Sequence, residues 1–302
     1  YGLYVINEAN IESHGMGYDL EKTLGNKPEW EAAHLDRTAR MVDTFRNHPS
    51  IVVWSLGNEA GSGCNFEATA ALIRAKDLSR PIHYERMNEV ADIESNMYAS
   101  VEYVEEQGRT KSDKPYFLCE YAHAMGNALG NFAEYWEAFE GSERNMGGCV
   151  WDWVDQAMRK KTSRRGGVLG GRDWHYAIGG DYDDFPNDGP FCNNGLVMPD
   201  RQVTTKLLEV KRIQQNVAFS LSGREVVARN KFAFTDLCEF DLRWQVLDDG
   251  RMAASGESPM PSIAPGESAM VLSGLELPEI PAGAERFLHL QVALRQDTLW
   301  AE

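Results

Sequence analysis

Along the first two thirds of the chain, short apolar runs alternate with segments whose apolar residues recur every three or four positions. Tyr1–Ile6 reads as a buried strand. A helix is predicted from about Glu29 to Arg46, with Pro28 suited to its first turn and one apolar face made of Trp30, Ala33, Leu35, Ala39, Val42 and Phe45. His48-Pro49 ends it. Ile51–Leu56 is a β-branched apolar run, the pattern of a parallel strand covered on both faces. Helices at about Asn65–Asp77, Val101–Gln107 and Phe132–Phe139 follow, interleaved with strands at Ile82–Tyr84, Glu94–Tyr98, Tyr116–Cys119 and Gly148–Val154.

From about Gln202 the helical period fades. Strand-like runs take over at Asn216–Leu221, Glu225–Phe234, Cys238–Leu247, Ala269–Leu275 and Arg286–Leu294, with turn signals such as Asp248-Asp249-Gly250 and Pro265-Gly266 between them. The expected organisation is an α/β domain over residues 1–198 and a β-sandwich over 199–302. The first part suits a (β/α) barrel or a doubly wound sheet, but no GxGxxG or GxxxxGK follows a strand, which disfavours the nucleotide-binding forms. Six strands cannot close an eight-stranded barrel. The opening on a strand, with neither Met nor leader, reads as part of a longer polypeptide.

The net charge of -16 argues against a non-specific nucleic-acid binder, and no apolar run is long enough for a bilayer. It leaves a neutral ligand such as a sugar open. Five scattered cysteines, Cys64, Cys119, Cys149, Cys192 and Cys238, fit neither a disulfide framework nor a zinc ribbon, and are expected to be buried free thiols.

The polar residues of chemical interest fall where strands end. Ile51–Leu56 runs into Gly57-Asn58-Glu59, and Tyr116–Cys119 into Glu120-Tyr121-Ala122-His123. Two carboxylates at the ends of two different strands of one barrel can face each other across a pocket, as glycoside hydrolysis requires; the sequence leaves their separation, hence retention or inversion, open. Glu12 and His14, two residues apart, point the same way in extended backbone and could hold a divalent ion. Glu8 suits a hydrogen bond beneath the pocket. Trp151, Trp153 and Tyr98 also lie at strand ends, and Asn187–Asn194 forms a polar loop with Phe191 inside it, suited to a pocket wall. His83, Asp155, His175 and Asp181 read as supporting groups rather than catalysts.

Five segments together resemble the large bacterial beta-galactosidases of glycoside hydrolase family 2. They are YGLYVINEANIESHG (1–15), RNHPSIVVWSLGNEA (46–60), FLCEYAHAMGNALG (117–130), VWDWVDQ (150–156) and GGDYDDFPNDGPFCNNGL (179–196). The first 200 residues are covered closely and the sandwich more loosely. The resemblance implies a TIM (β/α)8 barrel represented by about strands three to eight, followed by an immunoglobulin-like β-sandwich. It implies Glu59 as acid/base, Glu120 as nucleophile of a retaining reaction, Asn58 on the sugar 2-hydroxyl, Tyr98 bonded to the nucleophile, His123 on galactose hydroxyls and Trp151 in the sugar platform.

It also implies Mg held by Glu12, His14 and Glu59, and Na near Phe191 and Asn194. Upstream and downstream domains that complete the pocket, a tetramer or dimer, and a cytoplasmic location are further implications. The isolated 302 residues are expected to be inactive or nearly so, with open strand edges prone to aggregation. Beta-glucuronidases and beta-mannosidases share the Asn-Glu pair and the later Glu, and are the competing readings, with an inactive carbohydrate-binding fragment behind them.

Overall fold

The computed structural model describes residues 2–162 and 172–298. It forms two compact units, Gly2–Ile213 and the segment from Gln214 onward.

The first unit is α/β. Its elements in order are β1 (Val5–Glu8), α1 (Glu31–Phe45), β2 (Ile51–Ser55), α2 (Cys64–Lys76), β3 (Ile82–His83), β4 (Glu94–Met97), α3 (Val101–Arg109), β5 (Tyr116–Tyr121), α4 (Phe132–Glu140), β6 (Asn145–Val150), β7 (Met158–Lys161), β8 (Trp174–Ala177) and α5 (Thr205–Ile213). β1, β2 and β3 form one parallel sheet in chain order, and β4, β5 and β6 another. Asp92 joins them: its N–H donates to the Ile82 carbonyl and its carboxylate accepts from the Ile82 N–H, both at 2.8 Å. Among the described residues β1 to β6 form two parallel sheets and no closed barrel, and β7 pairs with β8 antiparallel.

Strand alternation explains the layers. Trp54 and Leu56 face the helices and pack with Met41, Val42, Phe66 and Ile73. Val53 turns the other way and meets Ile93 and Phe117. A second helical layer, from α3, α4 and α5, packs on Tyr116, Leu118 and Tyr121. Phe66 is fully buried and stacked on Tyr84 with ring centroids 4.1 Å apart. Truncation of such a side chain costs about 3–5 kcal/mol.

Several details differ from the sequence expectation. The first strand starts at Val5 and reaches Glu8; Leu3 and Tyr4 are exposed, and Tyr1 lies outside the described residues. In α1 the buried positions are His34, Thr38, Met41 and Val42, while Trp30 and Phe45 are exposed. Residue 34 is tolerated inside because His34 Nδ1 bonds the Trp30 carbonyl at 2.9 Å. β6 begins and ends earlier than expected, so Trp151 and Trp153 lie beyond it. The five cysteines are free, but none is buried: Cys149 and Cys238 are exposed and the others half-buried.

The second unit holds two antiparallel three-stranded sheets. The strands are β9 (Val217–Ser222), β10 (Glu225–Asn230), β11 (Phe240–Asp248), β12 (Arg251–Pro259), β13 (Ser268–Leu272) and β14 (Arg286–Leu294), ordered β13-β10-β9 and β12-β11-β14. Val217 and Ala228 from one sheet share a core with Leu242 from the other and with Leu237, Met260 and Ile263. β12 carries no apolar alternation in its sequence, Met252 being its one large apolar side chain before Pro259, and only the structure reveals it. Gly256 serves the fold there, since a Cβ at that position would come within 2.4 Å of the Trp244 ring of β11.

Candidate active site

The site is built at the C-terminal ends of the parallel strands of the first unit. Three chain turns there use left-handed backbone at non-glycine residues: Glu59 after β2, Tyr98 after β4 and Ala122 after β5, with φ of 43°, 50° and 48°. Such conformations cost of order 1–3 kcal/mol each and persist where surrounding contacts fix them.

Gly57 brings the first group together. Its φ is 147°, and a Cβ would lie 2.6 Å from the Ile11 carbonyl oxygen. Without a side chain, the end of β2 approaches the segment after β1, and the Asn58 N–H donates to that carbonyl at 2.8 Å. Glu12 and Asn58 then pair as an isolated parallel bridge. His14 Nδ1 lies 2.6 Å from Glu59 Oε2, and the Tyr18 hydroxyl donates to Glu59 Oε1 at 2.9 Å. One ligand atom from each of Glu12, His14 and Glu59 lies within 4.8 Å of the others. Two carboxylates and an imidazole at that spacing fit a divalent cation.

A bulge brings in the second carboxylate. β4 pairs Asn96 with Leu118 and Met97 with Glu120, so Cys119 is the extra residue. β5 and β6 also slip register between Leu118 and Tyr121. The slip resets the side-chain alternation, and both Cys119 and Glu120 face one cavity of about 380 Å3. Glu12, Asn58, Trp151 and Trp153 line the same cavity. The Tyr98 hydroxyl donates to Glu120 Oε2 at 2.9 Å. The rings of Tyr98 and His123 are 6.1 Å apart, and those of His123 and Phe191 5.7 Å.

Burial pushes the Glu120 carboxyl up to about 7; the Tyr98 hydroxyl opposes this, while the carboxylates of Glu59, Glu8 and Glu12 add to it. Burial and the Glu120 charge raise the Tyr98 phenol, so it stays a hydrogen-bond donor. Asn194 Nδ2 donates to the Phe191 carbonyl at 2.5 Å, and its Oδ1 is buried with no hydrogen-bond partner. That orphaned oxygen is the kind of ligand a monovalent cation takes.

A polar chain links two residues of the cavity lining, Glu8 and His83, through Ser55 and on to Ser95. Ser55 Oγ donates to Glu8 Oε2 at 2.7 Å; His83 Nδ1 is 2.9 Å from Ser55 Oγ and His83 Nε2 2.9 Å from Ser95 Oγ. These contacts fit a neutral imidazole protonated on Nδ1. Burial lowers His83 to about 4, against about 6.5 in an unfolded chain. Between those two pH values the unfolded chain binds the proton and the native one does not, so native stability falls as pH drops from 6.5 to 4. The full effect is about 3 kcal/mol. His83→Gln should flatten that dependence, read as denaturant midpoints of both proteins at pH 7 and 4.5; equal slopes would contradict it.

Of the supporting residues, Asp155 accepts from the Gly195 N–H at 2.7 Å and Asp181 from the Ile178 N–H at 2.9 Å, holding loops in place. Three neighbours of Glu59 were not foreseen: Tyr18, Glu85 and Arg86. Glu85 and Arg86 follow β3 as Glu59 follows β2, and the same strand-end rule could have found them. β3 is only two residues long, which left the signal faint.

No helix among the described residues is long and apolar enough to cross a membrane. Known proteins give the family. Residues 226–302 match "Beta-galactosidase, domain 4". Among solved structures, the chain resembles a beta-glucuronidase from an uncultured Clostridium sp. at 19% identity and TM-score 0.48, covering 70% of this chain and 40% of that one. It also resembles Bacteroides uniformis beta-glucuronidase 3, at 13% and 0.46, covering 92% and 41%. A third is a putative beta-galactosidase from Bacteroides fragilis, at 12% and 0.42, covering 87% and 43%. The chain thus spans well under half the length of these proteins. Residues 1–219 match "Glycosyl hydrolases family 2, TIM barrel domain", and the chain belongs to that family.

Proposed function

We propose that this chain carries the catalytic centre of a retaining exo-acting β-glycosidase, with Glu59 as acid/base and Glu120 as nucleophile. The observation that carries the reading is the bulge that turns Glu120 into the cavity shared with Asn58, against the Tyr98 hydroxyl. In the first step a Glu120 oxygen attacks the anomeric carbon while the Glu59 carboxyl gives its proton to the glycosidic oxygen. The aglycone leaves as an alcohol, and the sugar is held as an ester of Glu120. In the second step Glu59, now a carboxylate, takes a proton from water as the water attacks the same carbon. Glu120 is released, and two inversions give net retention.

Asn58 and His123 would bind sugar hydroxyls, and the Trp151 ring would carry the apolar face of the sugar. Glu12, His14 and Glu59 would hold magnesium, which when bound supplies positive charge beside the acid/base. Phe191 through its carbonyl and Asn194 through Oδ1 would hold sodium. The two sheets of the second unit would form an immunoglobulin-like sandwich with an accessory role.

For the sugar we propose β-galactose. Among the described residues lining the cavity are Glu8, Glu12, Glu120 and Asp152, and neither Lys nor Arg. A neutral sugar suits such a lining, whereas a sugar carboxylate would meet like charge. The second reading is a β-glucuronidase, the activity named for two of the resembling solved structures. That reading requires cations from outside the described lining. The test is kcat/KM of the intact enzyme on the 4-nitrophenyl β-galactoside, β-glucuronide and β-mannoside. We expect the galactoside to lead by about 100-fold or more, the discrimination available when buried polar groups are matched or left unpaired. A faster glucuronide would replace the galactoside reading.

A further inference from the structure

The left-handed turn at Glu59 is held from one direction. The Glu59 N–H donates to Glu85 Oε1 at 3.0 Å. The Glu85 side chain is only 3% exposed, and its second oxygen, Oε2, is buried without a hydrogen-bond partner. Arg86 Nε lies 3.2 Å from the same Oε1, and Arg86 reaches Glu59 Oε1 at 3.5 Å. The Arg86 guanidinium lies 3.9 Å over the Tyr18 ring, whose hydroxyl also donates to Glu59 Oε1. Glu85 therefore anchors the main chain of Glu59, while its neighbour Arg86, with Tyr18, touches the carboxylate.

A carboxyl group buried with one oxygen unpaired is expensive, and an apolar residue of similar size would serve packing better. Glu85 Oε1 meets two partners, the Arg86 guanidinium and the Glu59 N–H, and the turn that aims Glu59 needs an acceptor for that N–H. We propose that Glu85 is a positioning residue for the acid/base: by accepting the Glu59 N–H it fixes the left-handed turn that points the Glu59 carboxyl at the glycosidic oxygen. This rests on the reading of Glu59 given above. A displacement of about 1 Å at a proton donor is enough to cost on the order of 100-fold.

The test uses the intact enzyme and a series of β-galactosides running from 2,4-dinitrophenyl to phenyl and methyl. A dinitrophenolate leaves without a proton, whereas a poor leaving group depends on the acid. Glu85→Leu keeps the volume and removes the acceptor; Glu85→Gln keeps an acceptor oxygen. We expect Glu85→Leu to lower kcat/KM by about 100-fold for the phenyl and methyl glycosides and by less than about 3-fold for the dinitrophenyl glycoside. Glu85→Gln should recover to within about 5-fold of the parent across the series. A uniform loss in Glu85→Leu, no loss, or a Gln variant as impaired as Leu would overturn the proposal. Glu59→Ala is run beside them. If it too shows no dependence on leaving group, the assignment of Glu59 has failed rather than the role of Glu85.

Discussion

Replacing Glu120 with Gln in the intact enzyme is expected to lower kcat on every glycoside by about 10,000-fold or more, since the proposed covalent step would lose its nucleophile. The isosteric amide keeps the volume of the side chain and can still receive the Tyr98 hydroxyl, which donates to Glu120 Oε2 at 2.9 Å. Folding should therefore survive while chemistry does not. The proposed sugar is neutral, so removing one negative charge from a cavity also lined by Glu8, Glu12 and Asp152 should leave substrate binding intact. Steady-state kinetics with an inhibitor-binding control checks both halves. A residual rate within about 100-fold of the parent would show that Glu120 does not form the covalent bond, since that is the scale of an acid/base contribution alone.

Glu59→Ala should behave differently, and the difference identifies its role. For a dinitrophenyl glycoside the first step needs no proton, so the glycosyl-enzyme forms and then waits for a water that has lost its base. Turnover falls by about 100- to 10,000-fold. Sodium azide should restore much of it. Azide is already anionic, attacks the anomeric carbon without a base and displaces Glu120, giving the β-glycosyl azide. Detection of that product, with its β configuration, establishes Glu59 as the acid/base. Absence of rescue, with the glycosyl-enzyme still accumulating, would move that role to another group. Since Glu59 also stands in the cluster with Glu12 and His14, the same variant should weaken magnesium binding, measurable by titration.

Much of this was legible from the sequence for physical reasons. Long β-branched runs such as Ile51–Ser55 must be buried on both faces, and polar residues directly after them have nowhere to go but the strand-end surface. That logic singled out Asn58 and Glu59 beyond β2; Glu120, expected after a strand ending at Cys119, lies inside β5 (Tyr116–Tyr121). It did not reach contacts made across the fold. His14 and Glu59 are 45 positions apart, and the approach that joins them depends on Gly57 leaving space for the Ile11 carbonyl. The Glu12/His14 spacing was suggestive, and it was the family resemblance that tied it to Glu59. The bulge at Cys119 has no period to announce it, although it decides which way Glu120 points.

Other misses have the same origin. The apolar period of α1 suggested Trp30 and Phe45 inside, whereas the packed face uses His34 and Thr38. The β7–β8 hairpin is written in charged and aromatic residues. Its two strands are joined by an antiparallel ladder, and Arg159 lies 4.4 Å over the Trp174 ring, a cross-strand cation–π contact that apolar alternation does not announce. β12 is carried by its ladder to β11 and by Trp244 resting on Gly256, neither of which is visible in a single strand.

The proposed mechanism turns on a covalent bond between Glu120 and a galactosyl group. The most direct measurement is to incubate the intact enzyme with a 2-deoxy-2-fluoro-β-galactoside bearing a dinitrophenyl leaving group, digest it, and locate the added mass by tandem spectrometry. A fluorogalactosyl group is expected on Glu120, within the Tyr116–Tyr121 strand. A label on any other residue, or active enzyme that releases dinitrophenol through many turnovers with no label on Glu120, would contradict it.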